Sequence, residues 1–199
     1  MKWICMLAML AVSASVSAGI ENIKPTATVA ANEGILVATT ACAGWARFVQ
    51  LYRPGTPSTG ALGLYRFSSV TTCEPGIKTR RVKAGRYYIG WIAVGQTGLA
   101  VPEAEAYSFT IEPGKLNYIG QIRVGMHPEL ELERHPRSGT PADMIQVTDR
   151  EAEARAMVAA EYPWLLEKFP FVRALAVAAN KEVETGNGTA LPQEAKTTP

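Results

Sequence analysis

His127, Glu129, Glu131, Glu133 and His135 fall at every second position, and they bring both histidines of the chain together with three carboxylates. On an extended strand all five would point to one side, offering the nitrogen and oxygen donors that a divalent metal takes. Distance argues against a single site. At about 3.3 Å per residue the two histidines stand roughly 26 Å apart, so without a bend one ion meets at most two neighbours. Pro128 and Pro136 also interrupt regular pairing. A solvated acidic edge that discourages strand aggregation is the simpler reading, and no cofactor is expected.

Other chemistry is sparser. Ser138, His135 and Asp143 form the one Ser/His/Asp grouping in local sequence, and no Gly-x-Ser-x-Gly elbow presents a nucleophile. Lys78, Arg80, Arg81 and Lys83 make a basic cluster that could attract an anionic lipid, a glycan or an acidic protein face; a charged edge strand is the simpler reading. Tyr88, with Tyr52, Tyr65 and Trp45, could build an aromatic platform for a sugar, although such rings in a β domain usually belong to the core. Tyr88, Arg80 and Arg81 are therefore the candidate ligand-binding residues, and no catalytic residue is assigned.

The compartment is read from the first residues. Met1-Lys2, an apolar run from Trp3 to Val12 and the small residues Ser13 to Ala18 have the order of a secretory signal, with cleavage expected after Ala18. The run is shorter than the roughly 20 residues that span a bilayer. Removing 18 residues from 199 leaves 181, enough to bury a core, and losing Lys2 takes the formal charge from +2 to +1. So small a charge argues against a nucleic-acid binder, whose footprint is a strongly basic face. Cys5 leaves with the signal, and in an oxidising compartment Cys42 and Cys73 most simply form one disulfide. No CxxC motif points to thiol chemistry.

The elements that must position these residues are mostly strands. Residues 19–33 form a lead-in segment. Short β-branched or alternating runs follow at Gly34 to Thr40, Arg47 to Arg53, Leu62 to Val70, Lys78 to Val82, Arg86 to Val94, Tyr107 to Ile111 and Leu116 to Val124, separated by Gly- and Pro-rich turns. Alternation puts Tyr87, Ile89, Trp91 and Ala93 on one core face, and aligns Leu116, Tyr118, Gly120, Ile122 and Val124. Shorter strands are expected at Leu130 to Leu132 and at Met144 to Val147. Thr148 and Glu151 suggest a capping box for a helix from Asp149 to Glu161, packed through Ala152, Ala156, Met157 and Ala160. Pro163 ends that helix, and Trp164 to Phe169 suits one more helical turn. Phe171 to Ala179 fits either helix or strand. From Glu182 the polar tail lacks an apolar pattern and is expected to be disordered; its Asn187-Gly188-Thr189 matches a glycosylation sequon.

Two phrases carry a family resemblance: Val82-Lys83-Ala84-Gly85-Arg86-Tyr87-Tyr88-Ile89, and Phe109-Thr110-Ile111-Glu112-Pro113-Gly114-Lys115-Leu116-Asn117-Tyr118-Ile119-Gly120. This pairing resembles the prealbumin-like β-sandwich modules, among them carboxypeptidase regulatory-like domains and families of bacterial exported proteins and lipoproteins. It spans roughly Gly34 to Val124. Ala84 stands where the usual phrase has proline. The resemblance implies a scaffold, adaptor or binding module and carries over no catalytic residue.

The expectation is one exported β-sandwich of seven or eight antiparallel strands over residues 34–181, closed by one or two C-terminal helices and followed by the 182–199 tail. It is expected to be periplasmic or secreted and non-catalytic, working with an envelope protein partner rather than nucleic acid, and not spanning the membrane after cleavage. A glycan-binding module and a metal-assisted or serine hydrolase are the alternatives.

Overall fold

Glu33–Cys42 (β1) is apolar on both faces, as a strand covered on two sides must be. Ile35 and Val37 point to one side, and Leu36 and Ala38 to the other. Two cores therefore share it. The computed structural model describes residues 23–44, 46–55, 69–125 and 141–179. Outside them lie the segment read as a secretory signal, Trp45, Tyr65 and most of the Leu62 to Val70 run, the strand expected at Leu130 to Leu132, and the residues from 180 on, with the sequon.

Next come Ala46–Tyr52 (β2), Ser69–Thr72 (β3), Ile77–Lys83 (β4), Gly85–Val94 (β5), Thr97–Ala100 (β6), Tyr107–Ile111 (β7) and Leu116–Val124 (β8). After them stand Ile145–Thr148 (β9), helices Glu151–Glu161 (α1) and Pro163–Lys168 (α2), and the short strands Phe171–Arg173 (β10) and Val177–Ala178 (β11). One sheet has the order β10-β8-β1-β4, with β9 also on β8; the other runs β11-β7-β5-β2-β3, with β6 also on β5. This is a β-sandwich with a C-terminal helical layer. The strand number exceeds seven or eight because β6 and β7 divide one edge of β5, while β9 and β10 divide one edge of β8. The segment from Phe171 resolves into two strands, β10 in the first sheet and β11 in the second, which close that side of the sandwich.

Not every pairing is antiparallel. The turn Glu112 to Lys115 carries the chain from the second sheet into the first, so β8 enters alongside β1 in the parallel sense. Asn117 stitches this crossing: its Oδ1 accepts the Glu112 N–H at 2.8 Å, and its Nδ2 donates to the carbonyls of Glu112 and Lys115 at 3.0 and 2.9 Å. Gly34 lies against the same turn, where a β-carbon would overlap the Glu112 carbonyl oxygen.

Two bulges revise the face assignments. Ile119 and Gly120 together oppose Ala38, with Gly120 at φ +109. Leu116 and Tyr118 therefore face the helices, whereas Ile119, Ile122 and Val124 face the space between sheets, instead of the five aligning. In β5 the extra residue is Gly90, which lets Ile92 follow Tyr87 and Ile89 into the core while Trp91 turns outward over Gly98. Gly95 and Gln96 form a tight hairpin that leads into β6.

On the outer face of the first sheet, Ala154 and Val158 of α1 and Leu165 of α2 pack on Ile35, Val37, Ile77, Leu116 and Tyr118, joined by Ile23 of the lead-in. The packing stripe is Ala154, Met157 and Val158; Ala152, Ala156 and Ala160 face solvent. Asp149, not Thr148, serves the first turn, its carboxylate accepting the Glu151 N–H at 3.1 Å, because the Thr148 hydroxyl is bonded to Gln121 in the β8–β9 ladder. Among the described residues no helix is long and apolar enough to cross a membrane.

Cys42 at the end of β1 and Cys73 just past β3 stand at disulfide distance, with Cα atoms 5.5 Å apart, and this contact joins the two sheets. Replacing both by alanine is expected to lower the unfolding free energy by about 3–4 kcal/mol, from the loop entropy that a cross-link removes. Urea denaturation with and without reductant measures it, and equal midpoints would show that the pair is not bonded. At the crossing, Asn117→Ala leaves buried backbone groups unpaired and should cost about 1–3 kcal/mol, with Gly34→Ala destabilising through overlap. A change below about 0.5 kcal/mol in both variants would contradict the stitched turn.

Candidate functional site

The pleat of β4 divides the basic cluster. Lys78 stands opposite Ala38, Arg80 opposite Leu36 and Val82 opposite Gly34, and Leu36, Ala38 and Val82 belong to the core between the sheets. Lys78 and Arg80 therefore point inward. Arg81 and Lys83 point the other way: Arg81 bridges to Glu33 at 3.4 Å and donates to the Thr28 carbonyl at 2.6 Å, while Lys83 is exposed. The four residues do not form one patch.

Lys78 and Arg80 are unusual in their burial. The Lys78 side chain is 8 % exposed and its carboxylate neighbour Glu74, 3.9 Å away, is 80 % exposed. Arg80 is 3 % exposed, and desolvation pushes its pKa below the ordinary guanidinium value, with the Glu74 charge opposing. The same corner holds Thr40, whose hydroxyl donor reaches the carbonyls of Thr72 and Glu74 at 2.9 and 3.2 Å, and so ties β1 to the β3–β4 connection. Thr71 stands opposite Val49 on the inner face of the second sheet. Its hydroxyl is fully buried and has no hydrogen-bond partner. In sequence the four cations read as one cluster; the strand's alternation, which puts Lys78, Arg80 and Val82 on one face, is what divides them.

Tyr88 lies on the outer face of the second sheet, stacked on Tyr52 at 5.8 Å between centroids, and both rings are buried over Gly90. The Tyr52 hydroxyl donates to Gln50 Oε1 at 2.9 Å. Glycine at position 90 is what lets the rings lie flat, since a β-carbon there would overlap both. The ring of Tyr88 is thus packed against protein rather than laid open as a platform.

The alternating His127, Glu129, Glu131, Glu133 and His135 lie outside the described residues, as does Ser138. Asp143 sits in the short 3-10 turn Pro141–Met144. Among the described residues no group of three or more His, Cys, Asp or Glu could hold a metal ion.

A second cluster escaped the sequence reading because its members come from distant positions. Tyr118 of β8 stacks on Phe171 of β10 at 6.0 Å, and Arg155 of α1 lies over the Phe171 ring at 4.3 Å. The Tyr118 hydroxyl accepts the Arg150 N–H at 2.7 Å where the chain enters α1, and Arg173 holds Asp149 at 2.7 Å. Beside them, Lys168 covers Trp164 at 5.3 Å. Tyr162, Trp164, Phe169 and Phe171 are each half-buried, with one side on the helical core and the other toward solvent. The signal in sequence was the density of rings in Tyr162 to Phe171, where proline twice breaks the helix.

Burial raises the pKa of Tyr118, Tyr87 and Tyr88 above the ordinary value of 10.0. A raised folded pKa means that stability is fully present below the unfolded value and is lost as pH rises through the folded one. Ultraviolet titration should therefore show these three of the seven tyrosines ionising only above about 10, together with unfolding. All seven ionising near 10 with the fold retained would contradict their burial.

Comparison with protein-family models, with curated proteins and with solved structures gives no match.

Proposed function

We propose that the chain is an exported, non-catalytic binding module of the cell envelope that works by docking on a protein partner through its helical layer. The observation that carries this reading is the half-exposed aromatic surface of Tyr162, Trp164, Phe169 and Phe171, flanked by the cations of Lys168 and Arg155. Aromatic rings and arginine are the residue types concentrated at the centres of protein interfaces, because they bury large area with few rotatable bonds. These rings are held in place from behind by α1, α2 and β10, so little ordering is needed on contact. The matching surface is apolar, with a carboxylate placed for Lys168.

Compartment follows from chemistry. A cysteine pair at bonding distance between two sheets suits an oxidising environment, and it agrees with the signal-like first 18 residues. The likeness of Val82 to Ile89 and Phe109 to Gly120 to prealbumin-like exported modules supports the same reading.

Cross-linking of the tagged mature protein in native envelope extract, with mass spectrometry of the linked peptides, tests it. The expected result is one dominant protein whose links map to residues 162–171, and capture reduced about tenfold or more by Trp164→Ala. Links that map elsewhere, or capture unchanged by the substitution, would overturn the assignment of the face.

A further inference from the structure

The first sheet ends at β10, which pairs with β8 on one side only. In this ladder the Pro170 carbonyl accepts the Leu116 N–H at 2.9 Å, and the Ala174 N–H donates to the Tyr118 carbonyl at 2.8 Å. Pro170, Val172 and Ala174 therefore turn their backbone groups toward β8, and by the alternation of a strand Phe171 and Arg173 turn theirs away. Among the described residues nothing pairs with those two N–H groups or those two carbonyls. Backbone groups so placed are met by water or by an incoming chain. Beside this edge the half-buried Phe171 ring is fixed by Tyr118 at 6.0 Å and by Arg155 at 4.3 Å. Arg173 shares the helix-side face with it and is 55 % exposed; among the described residues Asp149 engages only its Nε, so its two terminal nitrogens remain as donors.

We propose that the protein partner binds by strand addition: an extended segment of it lies along β10, pairs with the outward backbone groups of Phe171 and Arg173, and carries a large apolar residue level with Phe171 and an Asp or Glu level with Arg173. Strand addition rests on the docking face assigned above and names what lies against it. Residues directly opposite on neighbouring strands stand about 5 Å apart, so the apolar residue extends the ring surface and the carboxylate meets the terminal nitrogens of Arg173. Main-chain bonds from two residues hold a strand only weakly, and the ring surface beside the edge supplies the buried area. The shortness of β10, with Pro170 at its start, keeps the edge from pairing with any passing strand that lacks those side chains.

Proline at position 173 separates backbone pairing from side-chain contact, because it removes the outward N–H and leaves the bonds to β8 in place. Cross-linking of the tagged mature protein in envelope extract, run with the wild type, Trp164→Ala, Arg173→Ala and Arg173→Pro, is the test. Capture should fall several-fold in Arg173→Ala and about tenfold further in Arg173→Pro, with links from residues 162–171 to one partner segment that has an acidic residue two positions from an apolar one. Should Arg173→Pro fail to fold, as its thermal melt will show, a synthetic peptide of the linked segment and its two alternately N-methylated forms replace it. At least one methylated form should then lose the binding that the unmethylated peptide shows in fluorescence anisotropy. Equal capture by Arg173→Ala and Arg173→Pro, or equal binding of all three peptides, overturns strand addition, while a fall with Trp164→Ala still supports the docking face. Capture unchanged by Trp164→Ala, or no captured protein, overturns the docking face and strand addition with it.

Discussion

β8 has to serve two cores, and one extra residue makes that possible. A strand of uniform alternation presents the same set of side chains to the same side along its whole length. With the added residue at Gly120, the strand offers Leu116 and Tyr118 to the helices and then Ile119, Ile122 and Val124 to the other sheet. The same irregularity changes what can pair on its free edge: β10 runs beside the first part and β9 beside the second. The helical layer, the inter-sheet core and the closing strands all rest on that phase change.

Corners are fixed by polar groups rather than by apolar area. At one end Asn117 satisfies the Glu112 to Lys115 crossing, and Gly34 lets the backbone approach it. At the opposite end of β1, Thr40 and Cys42 hold the β3–β4 connection. Strand β1 is thereby tied at both ends to chain that belongs to, or has just left, the second sheet. Such ties define how the sheets are offset, which non-directional burial cannot do.

Much of this was readable beforehand. The turns at Glu112 to Lys115 and Ala84-Gly85 rest on local glycine and proline chemistry, and the end of α1 before Pro163 follows from sterics between adjacent residues. The phase shifts at Gly90 and Gly120 were not readable, because a bulge leaves no mark except a glycine inside an apolar run. Parallel pairing of β8 with β1 depends on where a strand goes after a sheet change, a choice made by residues some 80 positions apart. For the candidate sites, Lys78, Arg80, Arg81 and Lys83 read in sequence as one cluster, although strand alternation divides them into two pairs. Which pair turned inward depended on a partner strand, and the Tyr118–Phe171–Arg155 stack joins three elements that no local window contains.

The contact between Cys42 and Cys73 also bears on the order in which the protein can assemble. On the exported reading the chain enters the oxidising compartment amino end first, so these two positions arrive before residues 116–124 and the bond can close while β1 still lacks its parallel neighbour. The loop so closed encloses β2 and β3, and the edge of the apolar β1 that takes β8 is left bare to whatever is nearby. Whichever machinery guards that edge until β8 arrives decides between correct closure and association with another nascent chain.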